Sequence, residues 1–136
     1  MPKQRPVVLC VDNEVNGLVG RKLLMEQQGY ETLTATNGRE GLDLFANYEV
    51  DAVILDDQMP SLDGDAFARR MKEIKPHVPI LLLSGYEPLF PSKAVDAFVS
   101  KSDPPAALLA TVHHLLTVRF PFFVRWFGNW KYRLSA

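Results

Sequence analysis

Asp51-Ala-Val-Ile-Leu-Asp-Asp-Gln-Met-Pro60, continued by Ser-Leu-Asp-Gly64, decides the fold. A short apolar run ends abruptly in acids and a Met-Pro turn. A parallel strand buried on both faces reads this way, with carboxylates delivered to its C-terminal end. In open α/β sheets that end is where ligands bind.

The flanking sequence repeats the pattern. Val7–Val11 is strand one, followed by Asp12-Asn13-Glu14. A helix carrying Val15, Leu18, Val19, Leu23 and Met25 closes at Gly29, although Gly17 and Gly20 weaken it. Thr32–Ala35 is strand two. Asn37 and Glu40 are spaced as a capping box, opening a helix with Leu42, Leu44, Phe45 and Tyr48. Ala52–Leu55 is strand three, and Asp65 is the expected cap of a helix carrying Phe67, Ala68, Met71 and Ile74. Ile80–Leu83 is strand four and Ala97–Val99 strand five. Pro104-Pro105 open a last helix with Ala107, Leu108, Val112, Leu115 and Leu116. Strand and helix alternate five times, which predicts an α/β, doubly wound five-stranded parallel sheet with helices on both faces.

With 136 residues, the chain is read as one domain, residues 1–117, and a tail, residues 118–136. An apolar fraction of 47% supplies a core, and no apolar run reaches the length of a membrane span. The start, Met-Pro-Lys-Gln-Arg-Pro, has no signal-peptide apolar region. The single cysteine, Cys10, sits in an apolar run and is expected in the core. A cytoplasmic protein is the expectation. The net charge of −1 hides an asymmetry: all sixteen acids lie at or before Asp103, leaving residues 1–103 at −5. Residues 104–136 carry only Arg119, Arg125, Lys131 and Arg133.

Polar residues follow four of the strands: Asp12 and Asn13, Asp56, Ser84 and Lys101. On one rim they would join two carboxylates, a hydroxyl and an ammonium. Clustered carboxylates repel and call for a cation. Mg2+ suits them, since it takes few protein oxygens and keeps waters. One carboxylate could then attack a phosphoryl group, with the metal, the lysine and Ser84 stabilising its oxygens.

These residues carry a resemblance to the response-regulator receiver domain of two-component signalling, over residues 6–117. The matching elements are Val-Asp-Asn-Glu after strand one, Leu-Asp-Asp-Gln-Met-Pro…Asp-Gly around strand three, Leu-Ser-Gly after strand four and Phe-Val-Ser-Lys at strand five. The resemblance implies a flavodoxin-like sheet of order 2-1-3-4-5. It makes Asp56 the phosphoacceptor, in preference to Asp57, whose side chain should alternate to the other face. Asp12, Asn13, Asp56 and the Gln58 backbone carbonyl would hold Mg2+, Ser84 and Phe98 would be the switch pair, and Lys101 would meet the phosphate. The implied protein is a single-domain regulator, not an enzyme in the ordinary sense. It would be phosphorylated by a histidine kinase or phosphotransfer protein and would signal to a downstream protein. The alternative is a phosphorylation-independent binding module on the same fold. A haloacid-dehalogenase-like phosphatase is disfavoured, because its Asp-x-Asp should follow strand one, where Asp12-Asn13-Glu14 stands.

Several positions depart from the family. Asn13 replaces the second acid of the usual pair; a unit-charge pair ~4 Å apart is worth about 1 kcal/mol in water and about 4 at an effective dielectric of 20, so weaker metal binding is expected. Ser102 replaces the usual proline after Lys101, predicting a trans peptide there. The Ser84–Lys101 segment, with Pro88 and Pro91, is short, so the fourth helix is expected shortened or missing, with one turn at Ser92–Val95. His113 and His114 are expected at the surface or rim. The tail holds half of the fourteen aromatics. It is expected to be helical and to pack on this domain or a symmetric partner, because so large an apolar patch should not stay exposed. A membrane-surface helix over residues 119–136 and a docking peptide are the alternatives. It is too short for a helix-turn-helix domain, so direct DNA binding is not expected.

Overall fold

Two strands buried at every residue form the centre of the molecule, β1 (Val7–Val11) and β3 (Ala52–Asp56). A computed structural model describes residues 5–59, 63–86 and 92–119, with side chains to 117. The remaining elements are α1 (Val15–Gln27), β2 (Glu31–Ala35), α2 (Gly38–Asn47), α3 (Gly64–Ile74), β4 (Ile80–Ser84), β5 (Ala97–Ser100) and α4 (Pro105–Arg119). All strand pairs are parallel and the order is β2-β1-β3-β4-β5, as expected from the resemblance. Strand residues alternate between two cores. One contains Val8, Cys10, Ile54 and Leu81 with Leu18 and Met25 of α1 and Leu108, Val112 and Leu116 of α4. The other contains Leu9, Val11, Val53 and Leu55 with Phe45 of α2 and Phe67 and Met71 of α3. Fully burying each such side chain contributes roughly 1.5–3 kcal/mol before the entropy of ordering it.

Local chemistry sets the ends of the elements. Gly29, at φ 90°, closes α1: its N–H bonds to Glu26 O and the Tyr30 N–H returns to Met25 O. That pair of bonds satisfies carbonyls the helix leaves open and needs a left-handed residue. Asn37 caps α2, accepting from the Glu40 N–H at 2.8 Å. Asp63, not Asp65, caps α3 by accepting from the amides of Asp65 and Ala66. At the other end of the sheet two acids clamp neighbouring strands. Asp51 gives its N–H to Val7 O and accepts the Val7 N–H at 2.7 Å. Asp96 repeats this with Ile80, accepting its N–H at 2.8 Å and donating to Ile80 O.

Other expectations require correction. The apolar residues of α1 do not share a buried face: Leu18 and Met25 are buried, but Val15, Val19 and Leu23 are each more than half exposed. Val15, Val19 and Leu23 are spaced four apart and turn together to solvent, so apolar periodicity alone chose the wrong stripe. Tyr48 lies beyond α2 and is exposed. His113 is buried, while His114 is exposed. As expected, between β4 and β5 the described residues contain no helix, and a turn at Ser92–Val95 is closed by the Val95 N–H on Ser92 O. The peptide after Lys101 is trans. Among the described residues no helix is long and apolar enough to cross a membrane. The expectations for residues 120–136, for Pro60 and for Pro88 and Pro91 fall outside the described residues.

Candidate functional site

The C-terminal ends of the strands form the polar rim. The Asp12 N–H bonds to Ala35 O, which extends β1 to an aspartate that is 4% exposed. Its Oδ1 accepts from the Glu14 N–H at 2.9 Å, and its Oδ2 is ion-paired with the Arg21 guanidinium from α1. β3 ends at Asp56, 2% exposed, whose Oδ1 accepts both the Lys101 ammonium at 2.7 Å and the Gln58 N–H at 3.1 Å. Lys101 reaches Asp56 because its own N–H bonds to Ser84 O, fixing where the chain leaves β5. The turn beyond is knit by hydroxyls: Ser100 Oγ lies 2.8 Å from Ser102 Oγ and accepts the Ser102 N–H.

Ser84 ends β4 and is buried, but its hydroxyl turns to Asp57 rather than Asp56. The Asp57 N–H bonds to Leu83 O, which holds Asp57 beside β4. Ser84 Oγ also accepts the Tyr86 N–H at 3.1 Å and lies 2.8 Å from Tyr86 O. A hydroxyl has one proton to donate, and the charged carboxylate is the stronger acceptor. The second Asp57 oxygen, Oδ1, is buried with no hydrogen-bond partner among the described residues. Phe98 is half-buried on β5 opposite Leu82, and Asn13 is exposed.

Thus Asp12, Asp56, Gln58, Ser84 and Lys101 stand on one rim. Of these, Asp56, Gln58 and Lys101 are in direct contact, since Lys101 Nζ also lies 3.4 Å from Gln58 Oε1. Sequence reasoning missed Arg21, which meets Asp12 from α1. The available signal was Gly17, one turn earlier: a Cβ there would lie 3.1 Å from Arg21 Nη2 and 3.3 Å from Asp12 Oδ2. It also missed the bond from Ser84 to Asp57, although Asp57 does lie on the other face from Asp56, beside Leu82 and the start of α3. Asp12, Arg21 and Lys101 line a cavity of about 270 Å³ between α1 and the start of α4. Cys10, below this floor, is chemically quiet: burial pushes its thiol up to about 12, against a smaller lowering by Arg21.

Three carboxylates therefore meet two cations at this rim. No set of three His, Cys, Asp or Glu side chains among the described residues is arranged to hold a metal. Mg2+ does not need three, because it commonly takes one or two carboxylates and completes its shell with water. Asp12 and Asp56, two buried carboxylates at adjacent strand ends, have the oxygen chemistry that suits such an ion.

The profile of the response regulator receiver domain matches residues 8–113. The autoinducer 1 sensor kinase/phosphatase LuxN of Vibrio campbellii is 35% identical over 82 residues, 60% of this chain and 10% of that protein. Sporulation initiation phosphotransferase F of Bacillus subtilis is 29% identical over 79 residues, 58% of this chain and 64% of that protein. The chain thus spans less than two thirds of either relative. Among solved structures, the response regulator protein TrrA of Thermotoga maritima in complex with Mg2+ and BeF is similar at TM-score 0.74 and 34% identity, covering 81% of this chain and 98% of that one. A structure of the histidine kinase ThkA in complex with TrrA matches at TM-score 0.74 and 34% identity, covering 82% and 98%.

Proposed function

The chain belongs to the response regulator receiver domain family, and from that premise we propose that it accepts a phosphoryl group on Asp56 and signals through protein–protein contacts. The donor in this reading is a histidine kinase or phosphotransfer protein. One observation carries it: a buried carboxylate at the end of the central strand has a partly exposed lysine 2.7 Å away and a backbone amide on the same oxygen. Both partners engage Oδ1, which orients Oδ2 as the nucleophile. The Asp56 oxygen forms a bond to phosphorus as the bond from phosphorus to the donor nitrogen breaks, and the electron pair leaves with the donor imidazole. Lys101 compensates the charge gathering on the phosphoryl oxygens. Asp12, Asn13, Asp56 and the Gln58 carbonyl would hold Mg2+, which when bound supplies positive charge to the same oxygens.

The switch step starts from the observed Ser84–Asp57 bond. A phosphoryl group on Asp56 competes with Asp57 for the Ser84 hydroxyl, and its capture moves the segment after β4. Phe98 is proposed to follow, changing the surface presented to a downstream protein. Residues 118–136 are proposed as a separate docking tail, with self-association and membrane-surface binding as its two candidate modes; no direct DNA contact is part of this reading.

A second reading, a binding module that needs no phosphate, is favoured by one observation: each buried acid of the proposed metal pair already has a protein cation, Arg21 on Asp12 and Lys101 on Asp56. The intact-protein mass after incubation with phosphoramidate and Mg2+ separates the two. A phosphoryl adduct on the parent and none on Asp56→Asn is the expected result. Absence of an adduct on a folded parent, with a control receiver modified in parallel, selects the phosphate-independent module.

A further inference from the structure

We propose that Arg21 is a tethered cation that competes with Mg2+ for Asp12, so that metal entry requires the guanidinium to leave. The proposal rests on the reading of the rim as a phosphoacceptor site. Both oxygens of Asp12 are engaged, Oδ1 by the Glu14 N–H and Oδ2 by Arg21. The pair is shielded, with side chains 5% and 15% exposed, so water screens it weakly. The path is built for it: at Gly17 any side chain would press within 3.1 Å of the guanidinium. Asn13 adds no charge to offset Arg21, and Lys101 is already committed to Asp56. A dication approaching Asp12 therefore meets a permanent positive charge on the oxygen it needs. The adjoining cavity of about 270 Å³, which Arg21 itself lines, gives the side chain somewhere to go.

Two backbone amides report on the metal directly, because Glu14 N–H bonds to Asp12 Oδ1 and Gln58 N–H bonds to Asp56 Oδ1. MgCl2 is titrated into the parent chain, Arg21→Gln and Arg21→Lys while these amide resonances are followed. Removing the charge is expected to tighten Mg2+ on the order of tenfold, the scale of a dication opposed by one unit charge a few ångströms away in a largely aqueous dielectric. Arg21→Lys, which keeps the charge, is expected to stay near the parent. In the parent, the Arg21 Nε–H resonance is expected to move with the same midpoint as the Glu14 amide; this reading stands even if Arg21→Gln does not fold. Equal Mg2+ affinity in parent and Arg21→Gln overturns the proposal. So does an Arg21 resonance that stays still at Mg2+ saturation, or the absence of any shift in either protein at tens of millimolar Mg2+. The phosphoryl adduct, measured alongside, separates the two ideas. An adduct with no gain in affinity removes the role of Arg21 and leaves Asp56 as acceptor. A gain without an adduct does the reverse.

Discussion

The two ends of β3 both hold buried aspartates, and they are held in different ways. Asp51, before the strand, accepts the backbone N–H of Val7 and returns its own to Val7 O. Asp56, at the far end, is held mainly by a side chain, Lys101, that is 32% exposed. The contrast extends across the sheet. Asp96 bonds both ways to the Ile80 backbone at the N-terminal rim as Asp51 does to Val7, with the Lys72 ammonium 2.6 Å from the same oxygen. At the C-terminal rim Asp12 takes the Arg21 side chain beside the Glu14 amide, and Asp57 takes the Ser84 hydroxyl. A carboxylate that bonds in both directions to the next strand's backbone, as at Asp51 and Asp96, ties strands together. One held by mobile side chains can exchange partners, which phosphoryl transfer and a switch require.

The largest effect expected from this contrast is at Asp56. Asp56→Asn should abolish the phosphoryl adduct outright while leaving the thermal transition close to the parent's, as read by intact mass and circular dichroism. Asp51→Ala should do the opposite. It strands the Val7 N–H in the interior, at about 1–3 kcal/mol for an unsatisfied buried donor, and keeps the adduct. Urea midpoints measure the cost. A variant at Asp51 that folds normally but cannot be phosphorylated would invert the comparison.

Asp57 gives a smaller and more pointed effect. Asp57→Ala frees the Ser84 hydroxyl from its present acceptor. It also removes Oδ1, a buried oxygen with no partner among the described residues, so little stability should be lost. If Ser84 must leave Asp57 to reach the phosphoryl group, the variant should shift toward the phosphorylated state's amide spectrum before any phosphate is added. A spectrum unchanged around Ser84 and Phe98 would show that Asp57 does not restrain the switch.

The N-terminal rim and the C-terminal rim also differ in how far they could be read in advance. The strands were legible because burial on both faces leaves continuous apolar runs, as in Val7–Val11 and Ala52–Asp56. The acids after those runs marked the rim. Which oxygen meets which cation was not legible, since Arg21 reaches Asp12 from another element through a gap left by Gly17. Alternation put Asp57 on the face opposite Asp56 but did not show the hydroxyl it would meet there, because Ser84 ends a different strand. The stripe Val15, Val19 and Leu23 defeated a periodicity argument because it faces solvent, while Leu18, Leu24 and Met25 face the core. The clamps at Asp51 and Asp96 were not legible, because a backbone clamp leaves no pattern in residue types.

The smallest expected effect belongs to the fixed end. Tyr30, just before β2, has its hydroxyl 3.4 Å from Nδ1 of buried His113. The His113 pKa lies below the ordinary 6.5, first because burial penalises the imidazolium and second because His114 is adjacent. The folded chain therefore favours neutral His113, and the unfolded chain takes up its proton at higher pH. The contribution to stability is complete above about pH 6.5, the ordinary histidine range, and is lost as pH falls from there through the lower folded value. Urea midpoints between pH 7.5 and 5.5 should fall for the parent and fall less for His113→Gln, with His114→Gln close to the parent. Identical slopes for the parent and His113→Gln would mean that the buried imidazole keeps its proton when folded. The N-terminal rim would then contain a charge that exchanges partners, and the division between a fixed end and a mobile end of the sheet would fail at that residue.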